Sequence, residues 1–284
     1  YIFKSWRGCC VRTTPMDAWS PDSTERTRDP QMTLEHDFLD PYATEPVIAD
    51  PKQLRARRKH RLALAYRVLG ATGWGLLGDG HISARDPERQ DCFWLARYGV
   101  PFKAMTVDDL VLVQPDGSVA GGGHINDAAY YIHGPVHEAR PEVVSAVHCH
   151  TPYGTPFSAN VTELLPISQE SCAFFDDHSV FDDEEVSITS TAGGKRIAAS
   201  LGEKRGTILR NHGLLTVGLS VDSAVGFFLL MERSAEVQLK AREARPISAD
   251  AARLVHDEYD DGMAWQAFQW AQRNLVPDVD SVLA

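Results

Sequence analysis

The sequence predicts a single α/β domain of three layers, helix on sheet on helix, and three observations carry that expectation. Segments of helical and of strand period are mixed along the chain without strict β-α-β alternation, which points to one α+β or α/β/α unit. A length of 284 residues fits one or two domains of roughly 150 residues each. No internal repeat divides it. Apolar residues at 43% and charged residues at 24% match ordinary globular chains, which excludes collagen-like, mucin-like and wholly disordered classes.

Residues 1–48, rich in Asp, Thr, Arg, Ser and Pro without sustained period, read as a disordered N-terminal tail. The domain proper spans 49–245, and 246–284 form a C-terminal helical extension of it. Asp50-Pro51 opens the first helix, an N-cap followed by proline in the first turn. Its apolar positions are Leu54, Leu62, Ala65, Val68 and Leu69, and it stops at Gly70 or Gly73. The basic cluster Lys52 to Arg61 reads as the polar face of this helix. His81–Asp86 and Cys92–Arg97 read as strands parted by the turn Pro87-Glu88-Arg89-Gln90. Asp109–Gln114 is a third strand, and Pro115-Asp116-Gly117 folds it back into Val119.

Ala128–Ala139 reads as a helix that ends before Pro141, because the residue before proline resists the α conformation. A strand follows at Val143–His150, then a helix or loop near Pro156–Asn160 and an acidic stretch from Glu170 to Glu185. Val186–Thr191 reads as a strand and Gly194–Leu201 as a helix. Thr207–Arg210 and Leu214–Val217 are short strands flanking Asn211-His212-Gly213. Ser220 caps a long helix with Val221, Val225, Phe228, Ala235 and Leu239 at helical spacing. Asp250–Asn274 completes the chain as one amphipathic helix carrying Tyr259, Trp265, Phe268 and Trp270.

Composition narrows the function. A net charge of −11 repels a phosphate backbone, so no nucleic-acid partner is expected. No run of 18 apolar residues occurs, so no membrane partner is expected. Five cysteines, Cys9, Cys10, Cys92, Cys149 and Cys172, give no disulfide framework, and no signal peptide is legible, which makes the cytoplasm the expected location. The chain begins at Tyr1, with Met16 or Met32 as a candidate first residue.

Chemistry concentrates on histidine. His148 and His150 stand two apart in a strand, so both imidazoles point the same way and make half of a divalent-metal site or a structural pair. His212, in the bend between two apolar strands, is either the third imidazole of that site, leaving positions open for substrate, or a turn histidine.

Gly80-His81-Ile82-Ser83-Ala84-Arg85-Asp86-Pro87, the run from Arg140-Pro141 to His148-Cys149-His150, and Leu209-Arg210-Asn211-His212-Gly213-Leu214-Leu215 resemble the class II aldolase/adducin superfamily over about residues 50–245. The resemblance implies a class II aldolase-like central sheet with helices on both faces, and a homo-oligomer, expected as a tetramer. In the family's aldolases three histidines hold zinc, at positions matched by His148, His150 and His212. Zinc is the first expectation for the metal and iron the second.

Departures from the aldolase pattern bear on the substrate. The sugar-phosphate aldolases carry Ser-Ser-Glu ahead of a helix histidine, matched here by His133. The glutamate position falls on Ala129 and the serines on Asp127 and Ala128, so an acid/base and two phosphate donors are missing. The phosphate loop is matched by Gly80-His81 and Tyr98-Gly99, which become candidate anchors for a carboxylate or phenol. His133, with His137 one turn on and Glu138 beside it, is a candidate catalytic or replacement group. Related aldolases draw a tyrosine proton donor from the C-terminal region of a neighbouring subunit, a region that here contains Tyr259. Gln169-Glu170-Ser171-Cys172 and Asp176-Asp177-His178 are further candidates for lining the cleft.

Three functions follow from the resemblance. The first is a metal-dependent lyase that cleaves a C–C bond of a non-phosphorylated 2-oxo or 2-hydroxy acid, by retro-aldol cleavage or decarboxylation. The second is an Fe(II) non-haem oxygenase acting on a 4-hydroxyphenylpyruvate-type acid. Trp74 to His81, His137 to Pro141 and Tyr153 to Pro156 are similar to that subgroup of the superfamily. The third is a non-catalytic, adducin-like binding module.

Overall fold

The computed structural model describes residues 46–283; most of the expected tail, Cys9, Cys10, Met16 and Met32 lie outside the described residues. Helix α1 (Pro51–Ala71) starts where expected: the Asp50 carboxylate accepts from the Lys52 amide, and Pro51 takes the first turn. Strands β1 (Gly80–Arg85), β2 (Phe93–Ala96) and β3 (Leu110–Val113) follow as an antiparallel meander. The turn after β3 returns the chain only to a single bridge between Val113 and Val119. Helix α2 (Asp127–Ala139) leads to β4 (Ser145–Cys149), then the short helices α3 (Gly154–Ser158) and α4 (Gln169–Cys172). Next come β5 (His178–Phe181), α5 (Thr191–Leu201), β6 (Gly206–Leu209) and β7 (Gly213–Gly218). Helices α6 (Val221–Lys240), α7 (Ala249–Glu258) and α8 (Asp261–Leu275) close the described chain.

The strands form one sheet of order β3-β2-β1-β4-β7-β6-β5, antiparallel except between β5 and β6. Its pleat sorts the side chains into two cores. Ile82, Ala84, Val147, Ile208 and Leu214 pack with α1 and α6 on one face. Ala146, Leu209, Leu215 and Val217 meet Ile132 and Val136 of α2 and Ile197 of α5 on the other. Full burial of each such aliphatic side chain contributes roughly 1.5–3 kcal/mol. This is the single domain with a central sheet between helices that the sequence predicts.

Two expectations about elements need correction. Val186–Thr191 is not a strand: Ser190 caps α5 through the Gly193 amide, and the sheet takes its edge strand β5 from inside the acidic stretch instead. Four residues pairing along β6 suffice there, because Ser179 and Val180 need only partial burial at an edge. Asp250–Asn274 is not one helix: α7 ends at Tyr259, and Asp260 restarts the chain by accepting from the Met263 amide.

The basic cluster also does more than face water. Arg55 makes a two-bonded fork with Asp86 at 2.7 Å and 2.7 Å, and Arg58 donates to the Arg85 carbonyl. Arg61 is buried and paired with Asp222 at 2.8 Å, with Gln269 of α8 bonded to both. Helix α1 is thereby tied to the β1–β2 turn, to the start of α6 and to the middle of α8. Among the described residues no helix is long and apolar enough to cross a membrane.

Candidate metal centre and adjoining pocket

Sheet register builds the site. β4 and β7 are neighbours, with Cys149 opposite Leu214, and β6 pairs Leu209 with Gly213. The end of β4 and the bend between β6 and β7 therefore meet at one end of the sheet. Asn211 occupies the left-handed region at φ 54, which asparagine tolerates better than most residues, and turns the chain there. Gly213 comes so close to His148 that a Cβ on it would lie 3.3 Å from the ring. The result is a cluster of three imidazoles. One ring nitrogen each from His148, His150 and His212 lies within 4.8 Å of the others. Ring centroids stand 5.3, 4.6 and 4.9 Å apart.

The donor set suits a divalent transition metal. His148 Nδ1 stands 2.8 Å from the Leu214 carbonyl and donates to it, which fixes the ring and leaves the Nε2 lone pair for a metal. Burial first, and then the neighbouring histidines, holds the pKa of His148 well below the ordinary 6.5. His212 is pushed down to about 4, again by burial first and then by His150. Imidazoles kept neutral in this way are ready ligands. The amide of His150 donates to the Asp79 carbonyl at 2.8 Å, joining the loop after β4 to the loop before β1.

A pocket of about 530 Å³ adjoins the cluster, and His81 lies between them. His81 lines the pocket and sits directly opposite His148 in the β1–β4 register, ring centroids 5.0 Å apart. Trp74, Leu95, Tyr98 and Phe102 give the cavity its apolar and aromatic wall, with Arg97 and Lys103 as cations. Gly80, Tyr98 and Gly99 line it as the sequence suggests, Gly99 at φ 85 and Tyr98 largely exposed. Gly80 has a packing reason as well, since a Cβ there would lie 2.6 Å from Cys149 Sγ. Ala129 stands in the pocket wall, buried and without a carboxylate.

The other candidates separate into two groups. His133 is fully buried and hydrogen-bonded to His81 and to Ser83, one layer behind the pocket. His137 bonds Ser83 as well, and Glu138 is exposed beside Lys195. Within one chain Tyr259 is not brought to the histidines. It caps α7 with its side chain buried, and its carbonyl accepts from Arg205. Arg205 precedes β6 whereas His212 follows it, so Tyr259 and the cluster lie at opposite ends of that strand. Gln169–Cys172 form α4. Asp177 pairs with Arg205, and His178 spends both ring nitrogens on backbone groups, so neither lines the cleft.

Two features escaped sequence reasoning. His81, Ser83 and Arg85 alternate along β1 on the face turned to α2, a period-two pattern visible in the sequence once the strand is assigned. Glu232, buried within α6, grips the loop after His150, and only its place in an apolar helical stretch hinted at that.

The family model for the Class II Aldolase and Adducin N-terminal domain matches residues 60–239. The chain belongs to this class II aldolase/adducin family. It is 37% identical over 238 residues to a 4-hydroxy-3-prenylphenylpyruvate oxygenase/4-hydroxy-3-prenylbenzoate synthase of Streptomyces roseochromogenus subsp. oscitans, covering 81% of this chain and 86% of the relative. Identity to the decarboxylase NovR of Streptomyces niveus is also 37%, over 81% of this chain and 88% of that protein. Among solved structures, an L-fuculose 1-phosphate aldolase from Glaciozyma antarctica PI12 superimposes with a TM-score of 0.72 at 36% identity, covering 81% and 94% of the two chains. Membership and enzyme-named relatives make this an aldolase-like enzyme family, and class II aldolases are typically dependent on a divalent metal.

Proposed function

We propose that this class II aldolase-family chain is a metal-dependent enzyme that decarboxylates a non-phosphorylated 2-oxo acid with an aromatic side chain, using molecular oxygen as oxidant. The observation that carries the reading is the pocket: an aromatic cavity with two cations and no carboxylate at Ala129, joined to three imidazoles through His81. Retro-aldol cleavage begins by taking a proton from a hydroxyl, and position 129 offers no base for that. Loss of carbon dioxide from an ionised carboxylate needs no such base. It leaves an electron pair on the carbonyl carbon, which dioxygen accepts: one oxygen atom makes that carbon a carboxylate and the other hydroxylates the adjacent carbon, so that the 2-oxo acid and dioxygen give carbon dioxide and a 2-hydroxy acid one carbon shorter.

His148, His150 and His212 would hold the metal, which when bound supplies Lewis acidity and, as iron, redox chemistry toward oxygen. The chain's own groups do the rest. Leu214 keeps the His148 ring oriented. Arg97 and Lys103 favour an anionic guest, while Trp74 and Phe102 favour its aromatic part and exclude water. Both Streptomyces relatives, by name an oxygenase and a decarboxylase, support this reading. The 0.72 TM-score with the fuculose-phosphate aldolase keeps a second one in view, an oxygen-independent lyase with zinc at the same site.

Metal analysis of protein purified without oxygen, followed by oxygen uptake with 4-hydroxyphenylpyruvate, tests the proposal. Stoichiometric iron and oxygen consumption matched to carbon dioxide release are expected, both lost in His148→Ala and His212→Ala proteins that keep the circular dichroism of the parent. Zinc with substrate cleavage in the absence of oxygen establishes the lyase instead. Full metal content in the double variant overturns the site.

A further inference from the structure

Behind His81 runs a line of buried polar groups that the proposed chemistry leaves unused. Strand β1 presents His81, Ser83 and Arg85 at alternate positions, and α2 presents His133 and His137 one turn apart on the facing surface. His81 Nδ1 lies 2.6 Å from His133 Nε2, and His133 Nδ1 lies 2.6 Å from Ser83 Oγ. Ser83 Oγ lies 2.8 Å from His137 Nε2, and His137 Nδ1 lies 3.2 Å from Arg85 Nη2. Among the described residues no carboxylate bonds to any of these imidazoles, and His81, Ser83, His133 and His137 are all buried.

Such a chain has a direction. Each neutral imidazole carries one ring hydrogen and the serine hydroxyl carries one, so every member that donates on one side accepts on the other. A guanidinium can only donate. Arg85 Nη2 also donates to the carbonyls of His137 and Arg140, at 2.7 and 2.9 Å, which pins it where it stands. The Val143 carbonyl, which accepts from Arg85 Nε at 2.9 Å, also lies within reach of the His137 ring and is the acceptor that competes for a hydrogen on it. With Arg85 Nη2 3.2 Å from His137 Nδ1, a hydrogen there would point at a cation, and on that ground the lone pair is placed on Nδ1.

The rest follows by counting hydrogens. His137 donates from Nε2 to Ser83, Ser83 donates to His133 Nδ1, and His133 donates from Nε2 to His81 Nδ1. The one hydrogen left on His81 sits on Nε2, the ring nitrogen for which no protein partner exists among the described residues, on a side chain that lines the pocket. We propose that Arg85 sets the direction of this chain so that His81 presents Nε2–H as a fixed donor to an oxygen of the bound 2-oxo acid, and is not a fourth metal ligand. The arrangement of ring nitrogens agrees: His148, His150 and His212 fall into one ligand group and His81 does not. Arg85, His137, Ser83 and His133 are then positioning residues, and His81 is the group that touches substrate. The substrate part of this inference rests on the metal-dependent reading of the site.

Long-range proton–nitrogen spectra of histidine-labelled, zinc-loaded protein test it, together with a titration by 4-hydroxyphenylpyruvate. The parent is expected to show His81 with a protonated Nε2 and an unprotonated Nδ1. Ser83→Ala is expected to give a mixture of His81 tautomers and to bind the acid about 10–100-fold more weakly, with zinc affinity unchanged. A protonated Nδ1 with a metal-shifted Nε2 in the parent would make His81 a ligand and overturn the proposal, whether or not the variant folds. Unchanged acid binding by a folded Ser83→Ala protein whose tautomers are mixed would overturn the donation to substrate. Failure of the parent to take up zinc overturns the metal-dependent reading alone, because spectra of the metal-free protein still report the His81 tautomer.

Discussion

Glu232, in the fourth turn of α6, and Thr151, two residues beyond β4, are joined by a buried hydrogen bond in which the carboxylate accepts from the hydroxyl. The same carboxylate accepts from the amides of Tyr153 and Gly154 at 3.0 and 2.7 Å. One side chain thus fixes the segment that leaves His150, and burial raises its pKa while the three donors act the other way.

Glu232→Ala is expected to strand these donors. Each buried donor without a partner costs about 1–3 kcal/mol, so a clear drop in the urea midpoint should appear. A loosened His150 should also weaken metal binding roughly 10–100-fold, as loss of an outer partner does elsewhere. An unchanged midpoint would show that water replaces the carboxylate.

Arg61 and Asp222 make the buried ion pair that joins α1 to α6, with side chains only 7% and 0% exposed. Asp222→Ala leaves a buried guanidinium uncompensated and should cost about 3–5 kcal/mol in chemical denaturation. Replacing both partners, as Arg61→Met with Asp222→Leu, should recover a large part of that loss. A double variant no more stable than the single one would contradict the desolvation argument.

Helices α2 and α5 touch backbone to backbone. Pro135 has no amide hydrogen for the Tyr131 carbonyl one turn back, and Gly194 of α5 packs against that carbonyl. A Cβ on Gly194 would lie 1.8 Å from its oxygen, so the helices must part to admit one. Gly194→Ala should therefore destabilise the protein by about 1–3 kcal/mol. A gain in stability from the better helix propensity of alanine would show the contact to be looser than this.

Acid should unfold the metal-free protein earlier than its carboxylates alone would require. His137 is held at about 3, chiefly by burial and next by the charge of Arg85, and His212 at about 4. Above the unfolded value of about 6.5 these groups are neutral in both states and contribute nothing to the pH dependence. Below it the unfolded chain takes up protons that the folded chain refuses, so stability falls by about 1.4 kcal/mol per pH unit for each such histidine. The fall should begin near pH 6.5 and run to the folded values, on denaturation curves taken from pH 7.5 to 4.5. A flat profile between pH 7 and 5 would mean that the imidazoles are not buried neutral.

Local chemistry made much of this readable in advance. Asp50-Pro51 and Ser220 announce their helices because capping depends on one side chain and the amides just after it. Asn211-His212-Gly213 marks a bend for the same kind of reason. The edge strand His178–Phe181 was hidden because its stability comes from pairing with β6, about 28 residues on, which no local pattern records. The break between α7 and α8 is signalled only by Asp260 as a cap and by Gly262 just inside α8. Three candidate ligands could be picked out by spacing and resemblance. The partners that orient them, Leu214 through its carbonyl and Glu232 through a distant loop, belong to the packed structure.

The three clustered imidazoles come from β4 and from the bend between β6 and β7, whereas the cavity beside them is walled by α1, β1 and the segment after β2. Under the proposed function, what is done to a molecule and which molecule is admitted are encoded in different stretches of chain. On that reading, substitutions within residues 97–103 should alter which acid binds while leaving the three imidazoles in place.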